Sequence, residues 1–170
     1  AALFKVEREN YAEIDTGFTV PGTTSNAYKA VDGAETKGID FEISGEILPR
    51  WNANIGYSHA RTEDASGTRL TTQLPMDTFQ LWNTYQFSGQ WDKFTIGGGV
   101  NWNSSKSLTF SRYNATVKNG DYTVVNLMAH YKLNENLSTT FNLNNLFDEK
   151  YYAGMAGSYG HYGAPRNFMA

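Results

Sequence analysis

The sequence predicts an all-β protein, an antiparallel transmembrane β-barrel whose strands have one apolar and one polar face. Apolar and polar residues alternate along several segments of about 10 residues, the length a strand needs to cross a bilayer. Tight turns and long polar connections alternate between these segments, and aromatic residues gather near the predicted strand ends. Outer-membrane barrels combine these features, with short turns on the periplasmic side and long loops outside.

Period-2 alternation defines the predicted strands. Residues 94–103 show it most clearly, since Phe, Ile, Val and Trp at even positions oppose Thr, Asn and Gly at odd positions. The other clear segments are 37–47, 51–58, 78–87 and 137–144, with Trp82 and Asn83 as exceptions. Segments 3–8 and 122–131 are weaker candidates, and 163–169 would begin a last strand.

The connections differ in length from one side to the other. Residues 47–50, 88–92 and 134–136 are tight, whereas 11–31, 62–75, 104–120 and 149–162 are long and polar. We therefore expect a meander of roughly eight antiparallel strands. The run 97–99 is Gly-Gly-Gly, which suits a bend in a barrel wall or the close approach of another backbone.

A soluble β-sandwich also alternates, but its apolar face is a packed core. Aromatic residues near the tight turns instead indicate a girdle at a membrane interface; they are Trp51, Phe87, Trp91, Phe94 and Tyr131. Because lipid offers no hydrogen bonds to the backbone, a sheet in a membrane must close. Eight strands can close by themselves. An arc of a wider barrel is the interpretation that both chain ends favour, since each reads as part of an interrupted strand.

Three segments resemble a known family. Residues 141–152 resemble the N-x-x-N-L-F-D-x-x-Y signature near the end of TonB-dependent outer-membrane receptors. Residues 160–168 resemble the Y-G-x-P-R-N/T-F element that opens the last strand in the siderophore-receptor branch. Residues 35–42 are similar to that family's x-S-x-G-x-E-x-E strand, with Asp40 and Glu42 in the acidic places.

This resemblance implies that residues 1–170 are the C-terminal portion of a plugged barrel of about 22 strands, of which the chain supplies about eight. The plug domain and the end of the final strand would be absent from the chain. The family implies a receptor in the bacterial outer membrane that imports ferric siderophores, with energy supplied through TonB by way of the plug. The ferric siderophore would be the transported ligand rather than a covalent cofactor, and lipid would surround the barrel.

Composition argues against several other functions. The chain contains no Cys, and its net charge of −3 gives no basic surface for nucleic acid. His59, His130 and His161 are far apart and lack metal-ligand spacing. Glu63 and Asp64 open a polar connection beside Arg61, which favours solvation over acid–base catalysis. We therefore expect no metal site and no enzyme activity.

The candidate ligand-binding residues lie in two of the long connections. They are Phe110, Arg112, Tyr113, Tyr159, His161 and Tyr162. Aromatic rings can stack on a planar chelate, and a guanidinium can pair with its anionic groups. The alternative is aromatic packing within the loops, with His161 as a solvated loop residue.

Two rival functions remain open at this point. A small closed outer-membrane barrel could serve in anchoring or adhesion. An outer-membrane lipase or protease would need a Ser–His or carboxylate constellation at one site, which the scattered histidines disfavour.

Overall fold

The computed structural model describes residues 1–9, 11–31, 33–70, 73–110, 115–156 and 159–170. The strands are β1 (Ala2–Arg8), β2 (Tyr11–Thr19), β3 (Asn26–Val31), β4 (Ala34–Leu48), β5 (Trp51–Glu63), β6 (Asp77–Gln86), β7 (Phe94–Asn103), β8 (Lys106–Phe110), β9 (Ala115–Asn119), β10 (Tyr122–Lys132), β11 (Ser138–Asn144), β12 (Tyr152–Ala156), β13 (Tyr159–Tyr162) and β14 (Asn167–Met169). A short 3₁₀ helix, Gly89–Trp91, lies between β6 and β7. No helix in the described ranges is long and apolar enough to cross a bilayer.

Eight of these strands form one antiparallel sheet in the order β1-β4-β5-β6-β7-β10-β11-β14. The three remaining pairs, β2–β3, β8–β9 and β12–β13, are separate two-stranded hairpins. The predicted strand 94–103 coincides with β7, and the weaker segments 3–8 and 122–131 are strands β1 and β10. Of the predicted last strand, residues 163–169, only Asn167–Met169 form a strand, which is β14.

The long connections differ from the sequence prediction. Residues 11–31, 104–120 and 149–162 were expected as loops, yet each holds a β-hairpin. Their backbone N–H and C=O groups find partners by pairing within the connection. The connection 62–75 differs from these three. Its described residues form no hairpin and hold an isolated β-bridge between Glu63 and Arg69.

The register places apolar residues side by side on one face of the sheet. Ile43 pairs with Ile55, Ile55 with Leu81, Leu81 with Val100, and Val100 with Val125. Ile43 is 55% exposed, and the buried apolar residues in the described ranges are Ala34, Ala53 and Met155. This face is therefore not a packed core, and the sandwich interpretation is wrong. We call it the outward face.

The opposite, inward face is polar. Carboxylates and amides lie along it at Asp40, Glu42, Gln80, Asn101, Asn126 and Asn142. Trp82 also lies on this face, where its indole covers Gly99. A Cβ atom on Gly99 would also come within 2.6 Å of the Leu81 carbonyl oxygen. The neighbouring indole, together with this carbonyl, explains the glycine.

Asn83 is the polar exception on the outward face. Its Nδ2 donates a hydrogen bond of 2.9 Å to the carbonyl oxygen of Gly98. That bond satisfies an amide that would otherwise be costly next to hydrocarbon.

Aromatic rings cluster at the tight-turn end of the sheet, as predicted. The Tyr85 and Phe87 ring centroids are 5.3 Å apart, those of Phe87 and Phe94 5.7 Å, and those of Phe94 and Tyr131 6.5 Å. Trp51 pairs with Tyr85 in the sheet register. This chain of rings across neighbouring strands is the arrangement of an interfacial girdle.

The two outer strands show whether the sheet closes on itself. Within the described ranges, β1 pairs with β4 and β14 pairs with β11, and β1 and β14 do not pair with each other. A closed eight-stranded barrel requires that pairing. The structure is an open arc, so the small closed barrel is not favoured.

Candidate ligand-binding mouth

The long connections all lie at the same end of the sheet. Hairpin β2–β3 joins β1 to β4, hairpin β8–β9 joins β7 to β10, and hairpin β12–β13 joins β11 to β14. In an antiparallel meander, alternate connections share one end, so the hairpins stand together opposite the tight turns. This end is the candidate mouth.

The predicted residues of hairpin β12–β13 are largely accessible. Tyr159 is 69% exposed and Tyr162 is 67% exposed, and His161 is also exposed. The Tyr162 ring stacks on Tyr152 with centroids 4.6 Å apart, and the two hydroxyl oxygens are 3.2 Å apart. This hydrogen bond raises the pKa of Tyr152 above its ordinary value. The His161 ring lies against Gly154.

Alternation along β13 puts Tyr159 and His161 on one side of the strand and Tyr162 on the other. The structure thus brings these three residues onto one hairpin but not onto one surface. Arg112 and Tyr113 lie outside the described residues, as does the side chain of Phe110 at the end of β8. The predicted convergence of all six residues is untested.

Hairpins β8–β9 and β12–β13 are joined by a buried lysine that the sequence analysis missed. Lys106 is only 6% exposed, and its Nζ donates a hydrogen bond of 3.3 Å to the carbonyl oxygen of Ala153. The ammonium also lies 5.9 Å from the centroid of the Tyr122 ring. Burial lowers the pKa of Lys106. A lysine in a polar connection carries no sequence signal for such a contact.

A second contact joins the same two hairpins. Asn119 is 8% exposed, and its Oδ1 accepts a 3.1 Å hydrogen bond from the backbone N–H of Tyr152. Beside it, the Tyr151 and Tyr122 rings stack with centroids 4.3 Å apart. The Tyr151 carbonyl accepts a 2.8 Å hydrogen bond from Gly163 N–H. Lys106, Asn119 and this stack make the two hairpins one folded unit, which we call the hairpin clasp.

The turn after β11 holds the base of the clasp. Asn145 is 2% exposed, and its Nδ2 donates to the carbonyl oxygens of Glu149 at 2.9 Å and Ala164 at 3.0 Å. Its Oδ1 accepts from Glu149 N–H at 2.8 Å, and its own N–H donates to Asn126 Oδ1 at 2.9 Å. Its φ of 53° is left-handed, a conformation that asparagine tolerates better than most residues.

Asp148 makes a matching contact nearby. Its Oδ1 accepts a 2.9 Å hydrogen bond from the backbone N–H of Arg166. Asn145 and Asp148 belong to the N-x-x-N-L-F-D segment, and Ala164 and Arg166 belong to the G-A-P-R segment. The two segments that carry the family resemblance therefore bind each other and fix the approach to β14.

Below the clasp, the inward face forms a cavity of about 380 Å³. Amide side chains line much of it, namely Gln80, Asn101, Asn103, Asn126, Asn144 and Asn145, together with Tyr122 and Tyr151. Such a surface offers many donors and acceptors to a polar ligand and little net charge.

An exposed apolar face, a polar inward face, an aromatic girdle and folded hairpins at the opposite end define the wall of an outer-membrane β-barrel. The chain belongs to the TonB-dependent receptor β-barrel family. The model of this family, described as "TonB dependent receptor-like, beta-barrel", matches residues 1–146. Members are outer-membrane receptors and transporters rather than enzymes. The predicted family and fold class are confirmed.

The relatives are siderophore receptors. The chain is 63% identical over 98% of its length to the ferric-pyoverdine 358 receptor of Pseudomonas putida, covering 20% of that protein. A crystal structure of the Pseudomonas aeruginosa ferripyoverdine receptor matches 98% of the chain and 23% of its own, with 38% identity and a TM-score of 0.85. The ferric-catecholate import receptor Fiu of Escherichia coli K12 matches at 26% identity and a TM-score of 0.79, over 98% of this chain and 23% of its own. The chain spans about a fifth of the length of its curated relatives.

Proposed function

We propose that this chain is the C-terminal part of the barrel wall of an outer-membrane importer for ferric pyoverdine. The observation that carries the proposal is the 63% identity to a ferric-pyoverdine receptor across nearly the whole chain. Receptors named for catecholate siderophores are only 26% identical. Energy would come through TonB at a plug domain outside residues 1–170, and no step at this chain would be catalytic.

The open edges of the sheet support a place within a larger barrel. Strands β1 and β14 each have one partner in the described ranges, and lipid cannot satisfy the remaining backbone groups. Further strands of the receptor would pair with them and complete a barrel of about 22 strands. The inward amides would then face the lumen, and the hairpin clasp would form part of the extracellular mouth.

The ligand contacts within the proposal are the residues at the mouth. Tyr159, His161 and Tyr162 form its accessible part on β13, and Phe110, Arg112 and Tyr113 complete the set. Tyr159 is the strongest of the three on β13, because Tyr162 already stacks on Tyr152 and His161 rests on Gly154. An exposed ring offers a stacking surface to a planar group of a chelate.

The import proposal is tested with the complete receptor gene in a host that lacks its own siderophore receptors. Cells supplied with ferric pyoverdine carrying radioactive iron should accumulate the label, and deletion of TonB should abolish the uptake. Uptake of a ferric tris-catecholate instead, with none of ferric pyoverdine, would contradict the assigned ligand. Uptake that persists without TonB would contradict the energy source.

A matched pair of tyrosines tests the contact residues. Tyr159→Ala should weaken binding of ferric pyoverdine to the purified receptor by about fivefold, the loss expected for one aromatic stacking contact. Tyr28→Ala removes a ring that is 70% exposed on hairpin β2–β3 and should leave the affinity unchanged. Equal effects of the two substitutions would remove Tyr159 from the site.

A further inference from the structure

The hairpin β12–β13 contains a β-bulge between its root and its far end. The register pairs Tyr152 with Tyr162. The next pair is Gly154 with His161, so Ala153 is the extra residue and pairs with no described residue of β13. A bulge bends its strand and re-aims the side chains beyond it. This bulge therefore sets the direction of the part of β13 that carries His161.

One rung of the neighbouring hairpin β8–β9 holds this bulge. Lys106 and Asn119 are direct partners, so their side chains lie on the same face of the hairpin. Lys106 Nζ donates to the carbonyl oxygen of the bulged Ala153, 3.3 Å away. Asn119 Oδ1 accepts from the N–H of the preceding residue, Tyr152, at 3.1 Å. One cross-strand pair, which we call the clasp rung, thus binds two consecutive residues of β12.

The clasp rung is itself fixed to the barrel wall. Ser104, two residues before Lys106, donates its N–H to the carbonyl oxygen of Asp77 at 2.9 Å. The Ser104 Oγ accepts a second bond, also of 2.9 Å, from the Asp77 N–H. Asp77 is the first residue of β6, and Tyr122, three residues after Asn119, is the first residue of β10. Both strands of the rung are therefore tied to the wall within a few residues.

The burial of Lys106 gives this contact a particular weight. In the described part of the chain no carboxylate forms an ion pair with the buried lysine. Removing an ammonium from water without a counter-charge costs free energy, which the hydrogen bond to Ala153 must offset. The contact to the bulge is what distinguishes Lys106 from an apolar residue in the same place. Its burial also excludes direct contact with a ligand.

Tyr159 stands at the far end of the hairpin that the clasp rung holds. It pairs with Ala156, three residues beyond the bulged Ala153 and about 10 Å farther along the strand. At the opposite end, Asn145 and Asp148 fix the root of the hairpin. A tilt of about 10° about that root, roughly 20 Å from Tyr159, would move the ring by about 3 Å. A hold between the two ends, at the bulge, suppresses this tilt.

We propose that Lys106 and Asn119 are positioning residues for siderophore binding, because by holding the bulge of β12 they keep Tyr159 and His161 in the arrangement that contacts the ligand. This inference rests on the proposed function and adds two residues that do not touch the ligand themselves. A hairpin that is already ordered in its bound position loses less conformational entropy on binding, which raises the affinity. When the competent arrangement is populated only part of the time, the apparent affinity falls by that fraction.

The first experiment measures the position of the hairpin without ligand. Spin labels are attached to the complete receptor, on a background without other cysteines, through Asp121→Cys beside the start of β10 and Tyr159→Cys on β13. Both native residues are exposed. Lys106→Met should broaden the distribution of distances between the labels by about 3 Å, because the hairpin can then tilt about its root.

The matched control is Lys118→Met. Lys118 is exposed on the adjacent rung of β8–β9, and its side chain lies on the opposite face from the clasp rung. The substitution removes one ammonium from the same hairpin, and the distance distribution should match that of the wild type. An unchanged distribution in the Lys106→Met receptor overturns the proposal.

The second experiment measures binding of ferric pyoverdine to the purified receptor. Lys106→Met and Asn119→Ala should each weaken it by about threefold to fivefold, as expected for one lost hydrogen bond. Lys118→Met should leave it unchanged. Tyr159→Ala should weaken binding about fivefold in the wild type but less than about twofold in the Lys106→Met receptor, because there the ring is no longer held in place.

The double substitution separates positioning from a purely structural role. If Tyr159→Ala has the same effect in both backgrounds, the clasp rung does not position Tyr159 and the proposal is overturned. Equal losses from Lys106→Met and Lys118→Met would also overturn it, since they would indicate a general effect of charge. A wild-type receptor that does not bind ferric pyoverdine contradicts the proposed function instead, and the spin-label comparison then decides the positioning role alone.

Discussion

The eight-stranded sheet and the hairpin clasp differ in which side chains they expose and which they bury. In the sheet, large apolar side chains such as Ile43 and Phe141 are each 55% exposed, and the buried apolar side chains described on its strands are the small Ala34 and Ala53. In the clasp and its supporting turn, the buried residues include Lys106, Asn119 and Asn145. The sheet is apolar where it is exposed, and the clasp is polar where it is buried.

The difference follows from the solvent that each region meets. Hydrocarbon covers the outward face, so the wall needs no second protein layer and gains stability mainly from backbone pairing. The clasp stands in water and orders long connections by satisfying their backbone groups with side chains. Substitutions that exchange these two chemistries should therefore have the largest effects.

The largest expected effect is that of a charge on the outward face. Ile43→Lys should destabilise the complete receptor in lipid vesicles by roughly 2–4 kcal/mol, because the ammonium would lie in hydrocarbon. Urea titration of the vesicle-embedded receptor measures the free energy of unfolding. Ser44→Lys puts the same charge on the inward face and is the control, with an expected change below about 0.5 kcal/mol. Equal costs at the two positions would mean that Ile43 does not face lipid.

Asn145→Ala should have the next largest effect. It removes the partners of three backbone groups, the carbonyls of Glu149 and Ala164 and the N–H of Glu149, in a site that is 2% exposed. Buried groups left without partners should cost about 2–3 kcal/mol in total. The same urea titration checks it.

Asn136→Ala, in the exposed tight turn before β11, is the control for Asn145→Ala and should change the free energy by less than about 0.5 kcal/mol. Asn145→Asp keeps the acceptor for Glu149 N–H but puts a carboxylate oxygen against the carbonyl oxygens of Glu149 and Ala164 in a buried site, so its cost should be at least that of Asn145→Ala. An unchanged stability for Asn145→Ala would show that the clasp does not depend on this turn.

The sheet was predictable from the sequence and the clasp was not, for a physical reason. Apolar and polar residues alternate along β7, interrupted on the apolar face by Gly98, so the strand and its two faces could be predicted directly from residues 94–103. The contacts of Lys106 with Ala153 and of Asn119 with Tyr152 join segments 47 and 33 residues apart, and neither follows a period. The resemblance of residues 142–148 to a family signature marked Asn145 without indicating what it binds.

Lys106→Met tests whether the clasp depends on the buried ammonium. Loss of the hydrogen bond to Ala153 should weaken the contact between the hairpins by about 1 kcal/mol and leave the sheet unchanged. Hydrogen exchange should therefore speed up in β8, β9 and β12 and stay the same in β6 and β7. Faster exchange throughout the sheet would show instead that the substitution disturbs the whole wall.

The pH dependence of the clasp provides a second measurement on Lys106. Burial lowers its folded-state pKa below the ordinary 10.5, so the opened form binds more protons between the lowered value and 10.5. Clasp stability contributed by Lys106 should therefore rise with pH through that window. Tyr152, whose pKa is raised, acts in the opposite sense, and subtracting the Lys106→Met profile cancels it. A difference profile that falls with pH would contradict the assignment.

The smallest effect is expected in the turn after β5. This turn belongs to the long connection 62–75, whose described residues form no hairpin. Asp64 Oδ1 accepts from Ser66 N–H at 2.9 Å, Ser66 Oγ at 2.6 Å and Thr68 N–H at 2.8 Å, which lowers the pKa of Asp64 below its ordinary 3.8. The turn should be ordered when the pH is above 3.8. It should open as the pH falls through the lowered pKa of Asp64.

Limited proteolysis measures this opening directly, with the complete receptor in detergent and an acid-active protease. Cleavage within residues 64–70 should accelerate as the pH falls through the lowered pKa of Asp64, while the sheet stays intact. Asp64→Asn keeps an acceptor oxygen without the titrating charge, so its cleavage should lose this pH dependence. Asp64→Ala should be cut at neutral pH as readily as wild-type protein in acid. If the wild type and Asp64→Asn respond to acid alike, some other group controls the turn.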